Sequence, residues 1–364
     1  MNQRERLINT LRFKAVDRVP LVEFDVRRST MDAWIEQGYP SGTPVEQFFG
    51  LDNGLDNSHL RAPFKLYMNP PFENIILEQN ENYKVWQDPQ GAIRRDFIRD
   101  REPGFVTRSY LKFPVDSRED FLEMKKRYRS DDPFRIIERW KIRAAVLNAS
   151  TVPVNLWIPF LFWTIRDWMG FEGICLGFHD QPMLIREMCE FLIDYYIELL
   201  TPVIDDVAID LVVLNEDMAY KHAPMISPDM FRKFLFPEYV RFIGFLKSHG
   251  VKIVCVDSDG FPGGLIPPWI DADVDGMLPC EIAAGNDLIK LRKEYPKFVM
   301  AGGIDKRELS TSKEAVYNEV MSKVPFLLEK GGYSPQVDHA VPPDVPLRNF
   351  IYYRELIERL ATGG

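Results

Sequence analysis

From about residue 150 onward, short apolar segments alternate with longer amphipathic segments. The apolar segments are rich in β-branched and aromatic residues, and they lie at 152–158, 209–215, 251–256, 274–280, 297–303 and 332–338. The amphipathic segments predict helices over about 181–206, 228–248, 286–295, 312–330 and 345–361. Continuous apolar strands that alternate with helices are typical of a parallel sheet covered by helices.

The number of predicted strands favours a closed barrel. A further strand is predicted at 18–24, after a helix over 3–13, and weaker strands between bring the count close to eight. An open dinucleotide-binding sheet needs a glycine-rich turn after an early strand, and no GxGxxG occurs in the chain. We therefore predict an α/β protein in which residues 1–364 form one (β/α)8 TIM barrel domain with an N-terminal helical extension.

Residues 60–115 interrupt the alternation of strands and helices. Apolar and polar residues alternate there around the turns QNEN and DPQG. This pattern predicts a pair of antiparallel strands. We expect an inserted β-ribbon, or cap region, over the mouth of the barrel.

Composition excludes several classes of partner. The net charge is −9 and the chain has no long basic block, so neither nucleic acid nor an anionic membrane surface is expected to bind. No apolar run approaches the length that spans a bilayer. The four cysteines form no CxxC pair, and the charged N-terminus is unlike a signal peptide, which predicts a cytoplasmic protein.

Acidic residues and one histidine follow the predicted strands, at the barrel end where chemistry gathers. Asp257 and Asp259 end one strand, Glu216 follows another, and His339 follows the last. Each acid taken alone can be a helix cap, but four independent caps need not converge on one pocket. Two carboxylates so close together need a compensating cation, which is either a metal ion or an arginine or lysine such as Lys306. Asp338 is placed to fix the tautomer of His339.

Other residues are candidates for holding a substrate. Arg27 and Arg28 follow the first predicted strand, Asn155 lies in the strand at 152–158, and Glu281 follows the strand at 274–280. The aromatic run at 155–163 is mainly a core pattern, but its loop position allows Phe160 and Trp163 to line a site for a planar substrate.

Four segments resemble the uroporphyrinogen decarboxylase superfamily over nearly the whole chain. They are RERLINTLRFKAVDRVPL, MISPDMFRKFLFPEYVRFIGFLKSHG, AGGIDKREL and GGYSPQVDHAVPPDVPLRNFIYYREL. The resemblance implies a (β/α)8 barrel with an N-terminal extension. It also implies one of two chemistries, which are porphyrinogen decarboxylation and methyl transfer that involves corrinoid proteins.

Departures from the family patterns favour methyl transfer. The decarboxylases have an Arg-Gln-Ala-Gly-Arg-Tyr segment for substrate carboxylates, whereas this chain has FDVRRST. The corrinoid methyltransferases bind zinc through His-x-Cys-Gly and a later Cys, whereas this chain has DSDG and Asp338-His339. The resemblance therefore implies a divalent ion, with zinc expected, held by Glu216, Asp257, Asp259 and His339. Oxygen and imidazole ligands suit a metal that polarises an ether oxygen.

The function predicted from the sequence is that of a methyltransferase in a corrinoid-dependent O-demethylase system. A small aromatic methyl ether would give its methyl group to cobalamin on a partner corrinoid protein, with His339, Asp257 and Glu216 as catalytic residues. His339 could instead protonate the leaving oxygen directly. A uroporphyrinogen decarboxylase, with Arg27 and Arg28 holding carboxylates, is the first alternative. A non-catalytic barrel that binds a tetrapyrrole or a corrinoid protein is the second, and a homodimer is left open.

Overall fold

The computed structural model describes residues 1–52, 62–98 and 108–363. Its strands are β1 Ile75–Gln79, β2 Tyr83–Gln87, β3 Ile93–Phe97, β4 Arg108–Lys112, β5 Asn155–Pro159, β6 Leu211–Asn215, β7 Ala219–Tyr220, β8 Ala223–Pro224, β9 Ile253–Asp257, β10 Gly276–Cys280, β11 Val299–Ile304 and β12 Tyr333–Val337. Its α-helices are α1 Gln3–Leu11, α2 Arg28–Glu36, α3 Val45–Phe49, α4 Arg118–Lys125, α5 Trp140–Asn148, α6 Leu161–Asp180, α7 Pro182–Leu200, α8 Pro228–Phe234, α9 Phe236–Ser248, α10 Ile266–Asp271, α11 Leu288–Glu294, α12 Lys306–Leu309, α13 Lys313–Met321, α14 Val324–Lys330 and α15 Leu347–Thr362.

Six strands form one parallel sheet in the order β12-β11-β10-β9-β6-β5. They coincide with the six apolar segments of the sequence, so the predicted parallel α/β architecture is confirmed. Helices follow these strands and bury their apolar faces against the sheet, as in the large core cluster that contains Trp168, Tyr239 and Phe350. The register pairs Pro159 with Asn215 and Asn215 with Asp257, so the ends of β5, β6 and β9 are level.

The segment at 18–24, predicted as a strand, is not one. The prediction fails because a side chain takes the place of the backbone: the Glu23 carboxylate accepts a hydrogen bond from the Val337 N–H at 2.8 Å. The backbone just after this segment pairs with the chain that follows β12 only at an isolated parallel bridge between Val26 and Val341. Arg354 and Tyr353 donate to the other Glu23 oxygen, each at 3.0 Å, which anchors this carboxylate against α15.

At the opposite edge of the sheet, β5 has no strand partner beyond β6 within the described residues. One backbone hydrogen bond, from the Ala62 N–H to the Asn155 carbonyl at 3.0 Å, links this edge to the preceding chain. The described residues therefore form a six-stranded parallel sheet, and the two further strands of an eight-stranded barrel are not formed there.

A separate antiparallel sheet has the order β1-β2-β3-β4. The sequence indicated two strands in this region, and the structure has four. Residues 60–61 and 99–107 of the predicted insertion at 60–115 lie outside the described residues. The edge strands β1 and β4 are exposed along their whole length.

Helix α6, which follows β5, was not predicted from the sequence. Phe160 stands at its N-cap and supplies no capping side chain. Gly170 interrupts the helix with φ 77°, and a Cβ at this position would lie 2.2 Å from the Phe113 ring, so the kink requires glycine. No α-helix in the part of the chain that the structure describes is long and apolar enough to cross a membrane.

Candidate functional site

His339 and Asp259 come together at the carboxyl edge of the sheet. His339 Nε2 lies 3.5 Å from an Asp259 carboxylate oxygen, and both side chains are partly exposed. They follow β12 and β9, which are separated by two strands, so a flat sheet would hold those strands about 14 Å apart. The contact therefore requires the sheet to curl or the loops to fold over the strand ends. The hydrogen bond that His339 donates to Asp259 raises the pKa of His339, and burial opposes this shift.

Lys306 lies between two further carboxylates at the same edge. Its ammonium group is 3.0 Å from Asp338 and 3.6 Å from Glu281. Asp338 is fully buried and also accepts a hydrogen bond from the Ile282 N–H at 3.1 Å. Burial raises the pKa of Asp338, and Lys306 opposes this shift. The lysine, considered in the sequence as an alternative to a metal, thus neutralises part of the acidic cluster. Asp338 accepts a hydrogen bond from the Lys306 ammonium group, whereas the sequence suggested that it orients His339.

Glu216 is directed away from this cluster and caps α6. One carboxylate oxygen accepts the Phe162 and Trp163 N–H groups at 2.6 and 3.1 Å, and the other accepts the Tyr239 hydroxyl at 2.5 Å. A carboxylate suits this position because the first N–H groups of a helix lack partners within it. Burial raises the pKa of Glu216 to about 7, although the three hydrogen bonds oppose the shift.

Asp217 and Arg166 join α6 to the strand ends. Arg166 donates to the Asp217 carboxylate at 3.0 Å and to its carbonyl at 2.7 Å. Asp217 adopts φ 38°, and the two Arg166 contacts hold it in this uncommon conformation. Burial raises the pKa of Asp217; Arg166 lowers it, and the nearby charge of Asp259 raises it. These residues place α6 beside the acidic cluster.

The predicted metal ligands do not assemble as a group of four. No cluster of three or more His, Cys, Asp or Glu side chains is arranged for a metal ion within residues 1–52, 62–98 and 108–363. His339 and Asp259 are together, both oxygens of Glu216 are engaged by α6 and Tyr239, and Asp257 uses its carbonyl to accept the Glu216 and Asp217 N–H groups. Zinc sites in proteins use three or four side-chain ligands, so this donor set does not fit a zinc ion.

The predicted substrate residues are dispersed. Phe160 is fully buried, with its ring 4.9 Å from Tyr239, and is part of the core. Asn155 begins β5 and therefore lies at the amino edge of the sheet, opposite the acidic cluster. Arg28 is exposed at the start of α2, and Arg27 is the residue before it. Glu281 lies within the cluster and accepts the Gly260 N–H at 2.8 Å.

A cavity of about 270 Å³ opens beside the ends of β5 and β6. Pro159 and Asn215, the last residues of these strands, line it together with Trp163 and Asp167 of α6. The remaining walls include three aromatic side chains that are largely buried, Tyr128, Trp168 and Tyr196. Of the predicted substrate residues, only Trp163 lines this cavity.

Arg166 and Asp167 were missed in the sequence. Both belong to α6, and a helix in this region would have placed them one turn beyond Trp163. Burial raises the pKa of Asp167 to about 6; Arg166 and a hydrogen bond from Trp163 oppose the shift, while Asp88 and Asp217 add to it. The available signal was a charged Arg-Asp pair inside an otherwise apolar run.

Comparison with solved structures shows similarity in fold. A methyltransferase from Methanosarcina mazei aligns over 99% of this chain and 99% of its own, with a TM-score of 0.60 and 15% sequence identity. A B12-independent methionine synthase from Shewanella sp. W3-18-1 aligns over 87% of this chain and 83% of its own, with a TM-score of 0.43 and 13% identity. No curated protein matches the chain in sequence.

The sequence itself matches one protein-family model, described as uroporphyrinogen decarboxylase (URO-D), over residues 166–360. The matched region begins at Arg166, runs through the strand ends that carry the acidic cluster, and ends within α15. It confirms the resemblance drawn from the sequence segments. Because the match spans more than half of its 364 residues, this chain belongs to the uroporphyrinogen decarboxylase (URO-D) family.

Proposed function

We propose that this protein is the methyltransferase component of a corrinoid-dependent O-demethylase system. It would take a methyl group from an aryl methyl ether and pass it to cob(I)alamin on a separate corrinoid protein. The observation that carries the proposal is the pairing of His339 with Asp259 at the carboxyl edge of the sheet. Asp259 of this pair follows β9, the strand next to β6, and the last residue of β6 lines an aromatic cavity.

The charge of the strand ends supports this reaction over decarboxylation of uroporphyrinogen. Four carboxylates, those of Asp217, Asp259, Glu281 and Asp338, lie there with Arg166, Lys306 and His339 as their cationic partners. The cations are already paired within the protein. A substrate with eight carboxylates requires a positive cleft, and the described residues at this edge do not supply one.

Methyl transfer from an aryl ether breaks the bond between the methyl carbon and oxygen, and the electron pair of that bond remains on the oxygen. His339 would donate a proton to that oxygen as the charge develops, so that a phenol leaves instead of an aryloxide. Its Nε2 faces Asp259, which leaves Nδ1 to donate. Asp259 raises the pKa of His339 and so keeps the proton available. The cobalamin of the partner protein, when bound, would supply the nucleophile that accepts the methyl group.

Metal binding by the isolated protein is expected to be weak. Only His339 and Asp259 of the four predicted ligands lie together, and two donors hold a zinc ion poorly. Protein passed through a desalting column should therefore retain well under one zinc ion per chain, as measured by elemental analysis. A stoichiometric ion that is lost in the Asp259→Asn and His339→Gln variants would instead restore the metal role predicted from the sequence.

Uroporphyrinogen should not be decarboxylated. Arg28 is exposed on α2, and the strand ends offer no unpaired cation for the ring of substrate carboxylates within the described residues. Incubation with uroporphyrinogen, followed by chromatography of the oxidised products, should give only the starting compound. An aryl methyl ether incubated with cob(I)alamin should in parallel consume cob(I)alamin. Turnover of uroporphyrinogen would overturn the proposed reaction, and inactivity in both assays would favour a non-catalytic binding protein.

A further inference from the structure

The cavity beside β5 and β6 has a lining that defines a chemical class of ligand. We propose that it binds the substrate of the proposed reaction and selects an aryl methyl ether with a free phenolic hydroxyl, which Asp167 holds, over one that carries a carboxylate. This inference rests on the proposed function for its reaction but not for its binding site. The cavity supports it by its size, its aromatic walls, the carboxylate acceptor of Asp167 and its charge.

The size and the aromatic walls of the cavity suit a ligand with a single aromatic ring. The cavity holds about 270 Å³, which is just below the range of about 300–1,000 Å³ for drug-sized ligands. Five aromatic residues line it, namely Tyr67, Tyr128, Trp163, Trp168 and Tyr196. Tyr196 donates its hydroxyl to the Pro159 carbonyl, so its ring is fixed in place. Flat rigid walls favour a flat ligand, because stacking and edge contacts add to the burial of apolar area.

Asp167 supplies a hydrogen-bond acceptor inside these walls. Its side chain is half-buried and receives a hydrogen bond from the Trp163 indole. A carboxylate has about four acceptor positions, so one indole leaves capacity for a ligand hydroxyl. A hydrogen bond to a charged acceptor is about twice as strong as one between neutral groups. A phenolic hydroxyl is therefore a matched partner.

The charge of the cavity disfavours a carboxylated ligand. Its described lining contains no lysine, arginine or histidine. The charged groups near Asp167 are Arg166, Asp88 and Asp217. Arg166 is bonded to Asp217, and Asp88 is paired with Arg94 at 3.2 Å. No cation of the described lining is thus available to receive a ligand carboxylate, which would meet the repulsion of Asp167.

The cavity is close to the proposed reacting groups. Asn215, which lines it, pairs directly with Asp257 on the next strand, and neighbouring strands are about 4.8 Å apart. Asp259 and its partner His339 follow that strand end. A ring in the cavity can therefore direct a methoxy group toward the acidic cluster while its hydroxyl stays on Asp167.

Direct binding measurements test the proposal without a corrinoid protein. Isothermal titration of the full-length protein would compare 2-methoxyphenol, 1,2-dimethoxybenzene and 4-hydroxy-3-methoxybenzoate at pH 8. We expect 2-methoxyphenol to bind at least roughly tenfold more tightly than each of the others, because dimethoxybenzene leaves Asp167 without a donor and the benzoate adds a like charge. Asp167→Asn should remove the preference over dimethoxybenzene, since the amide can donate to an ether oxygen.

The matched control is Glu172→Gln, which neutralises an exposed carboxylate on the same helix outside the cavity. It should leave all three affinities unchanged, and melting temperatures of the variants check that the fold is intact. Affinity of the wild-type protein for 2-methoxyphenol should fall at pH 5, where an Asp167 carboxyl with a pKa of about 6 is protonated, while that of Asp167→Asn should not change.

Equal affinity of the wild-type protein for the three ligands, no binding of any, or a preference that survives Asp167→Asn would each overturn the proposal. These results would leave the methyl-transfer assay to decide the proposed function separately. If the protein binds 2-methoxyphenol with this selectivity but transfers no methyl group, the proposed binding site is supported and the proposed function is contradicted.

Discussion

Replacing Glu216 with alanine is expected to lower the free energy of unfolding by about 3–5 kcal/mol. The carboxylate is fully buried and accepts three hydrogen bonds, two of them from the N–H groups of Phe162 and Trp163 at the start of α6. Alanine would leave these N–H groups and the Tyr239 hydroxyl without an acceptor and would open a cavity. Urea denaturation followed by circular dichroism measures the loss. A change below about 1 kcal/mol would show that α6 does not depend on this cap.

Glu216→Gln separates the shape of the side chain from its charge. Burial raises the pKa of Glu216 to about 7 from an ordinary value of 4.5. The folded protein therefore holds a proton that the unfolded chain releases in this window, so the stability from this group is present below pH 4.5 and lost as the pH rises through about 7. The difference of about 2.5 between these two pKa values corresponds to a contribution of about 3.5 kcal/mol, at about 1.4 kcal/mol per pH unit.

The comparison of Glu216→Gln with wild type should therefore depend on pH. Between pH 5 and pH 8 the wild-type protein should lose stability relative to the glutamine variant, which has no proton to release. Denaturation curves at the two pH values, taken for both proteins, cancel the titration of all other groups. A difference that is the same at both values would show that Glu216 is ionised in the folded protein throughout this range.

The parallel sheet could be predicted because each of its strands is a continuous apolar run. Val254 and Val256 are fully buried, and so are Val212 and Leu214 of the neighbouring strand. Burial on both faces leaves no polar position in the strand, and the pattern is therefore visible in the sequence. The positions of Asp259 and His339 follow from the same pattern, since residues just beyond parallel strands share one edge.

The first predicted strand failed for a reason that lies far away in the chain. Residues 18–24 have the composition of a strand, but Glu23 reaches Val337 with its side chain instead of its backbone. Its carboxylate is held by Arg354 of α15, which is 331 positions away. A sequence pattern reports local propensity and burial. It does not show whether the side chain or the backbone of a residue will accept a hydrogen bond from the N–H of a neighbouring strand.

Helix α6 was missed because its cap comes from another part of the chain. Phe160 supplies no side-chain acceptor at the N-cap, and local capping signals are what mark a helix start in a sequence. Glu216, 54 residues after Phe162, supplies the acceptor. This long-range contact explains why α6 was not recognised. It also shows how Glu216, which the sequence assigned to a metal site, is used in the structure: one of its oxygens caps the helix and the other accepts the Tyr239 hydroxyl.

Replacing His339 with glutamine is expected to lower kcat for methyl transfer by about 10²–10⁴-fold, which is the usual range for loss of a general acid. Glutamine keeps a similar size and a hydrogen-bond donor but cannot deliver a proton. Affinity for the methyl ether should change little, because His339 does not line the aromatic cavity. Consumption of cob(I)alamin measures the rate. The matched control is His249→Gln, which removes a second His–Asp pair, with Asp205 at 2.6 Å, just before the amino end of β9.

Asp259→Asn tests whether the expected loss of kcat in His339→Gln is due to the lost proton donor. Asp259 raises the pKa of His339, so the rate that depends on protonated His339 should fall as the pH rises through that pKa. Without the carboxylate the pKa is lower, and the fall in rate should begin at a lower pH while the activity in acid is preserved. If His339 served only to hold the loop after β12, the Asp259→Asn variant would show no such shift of the pH–rate profile. Unaltered pH profiles in Asp259→Asn, or full activity in His339→Gln, would place the proton donor elsewhere in the site.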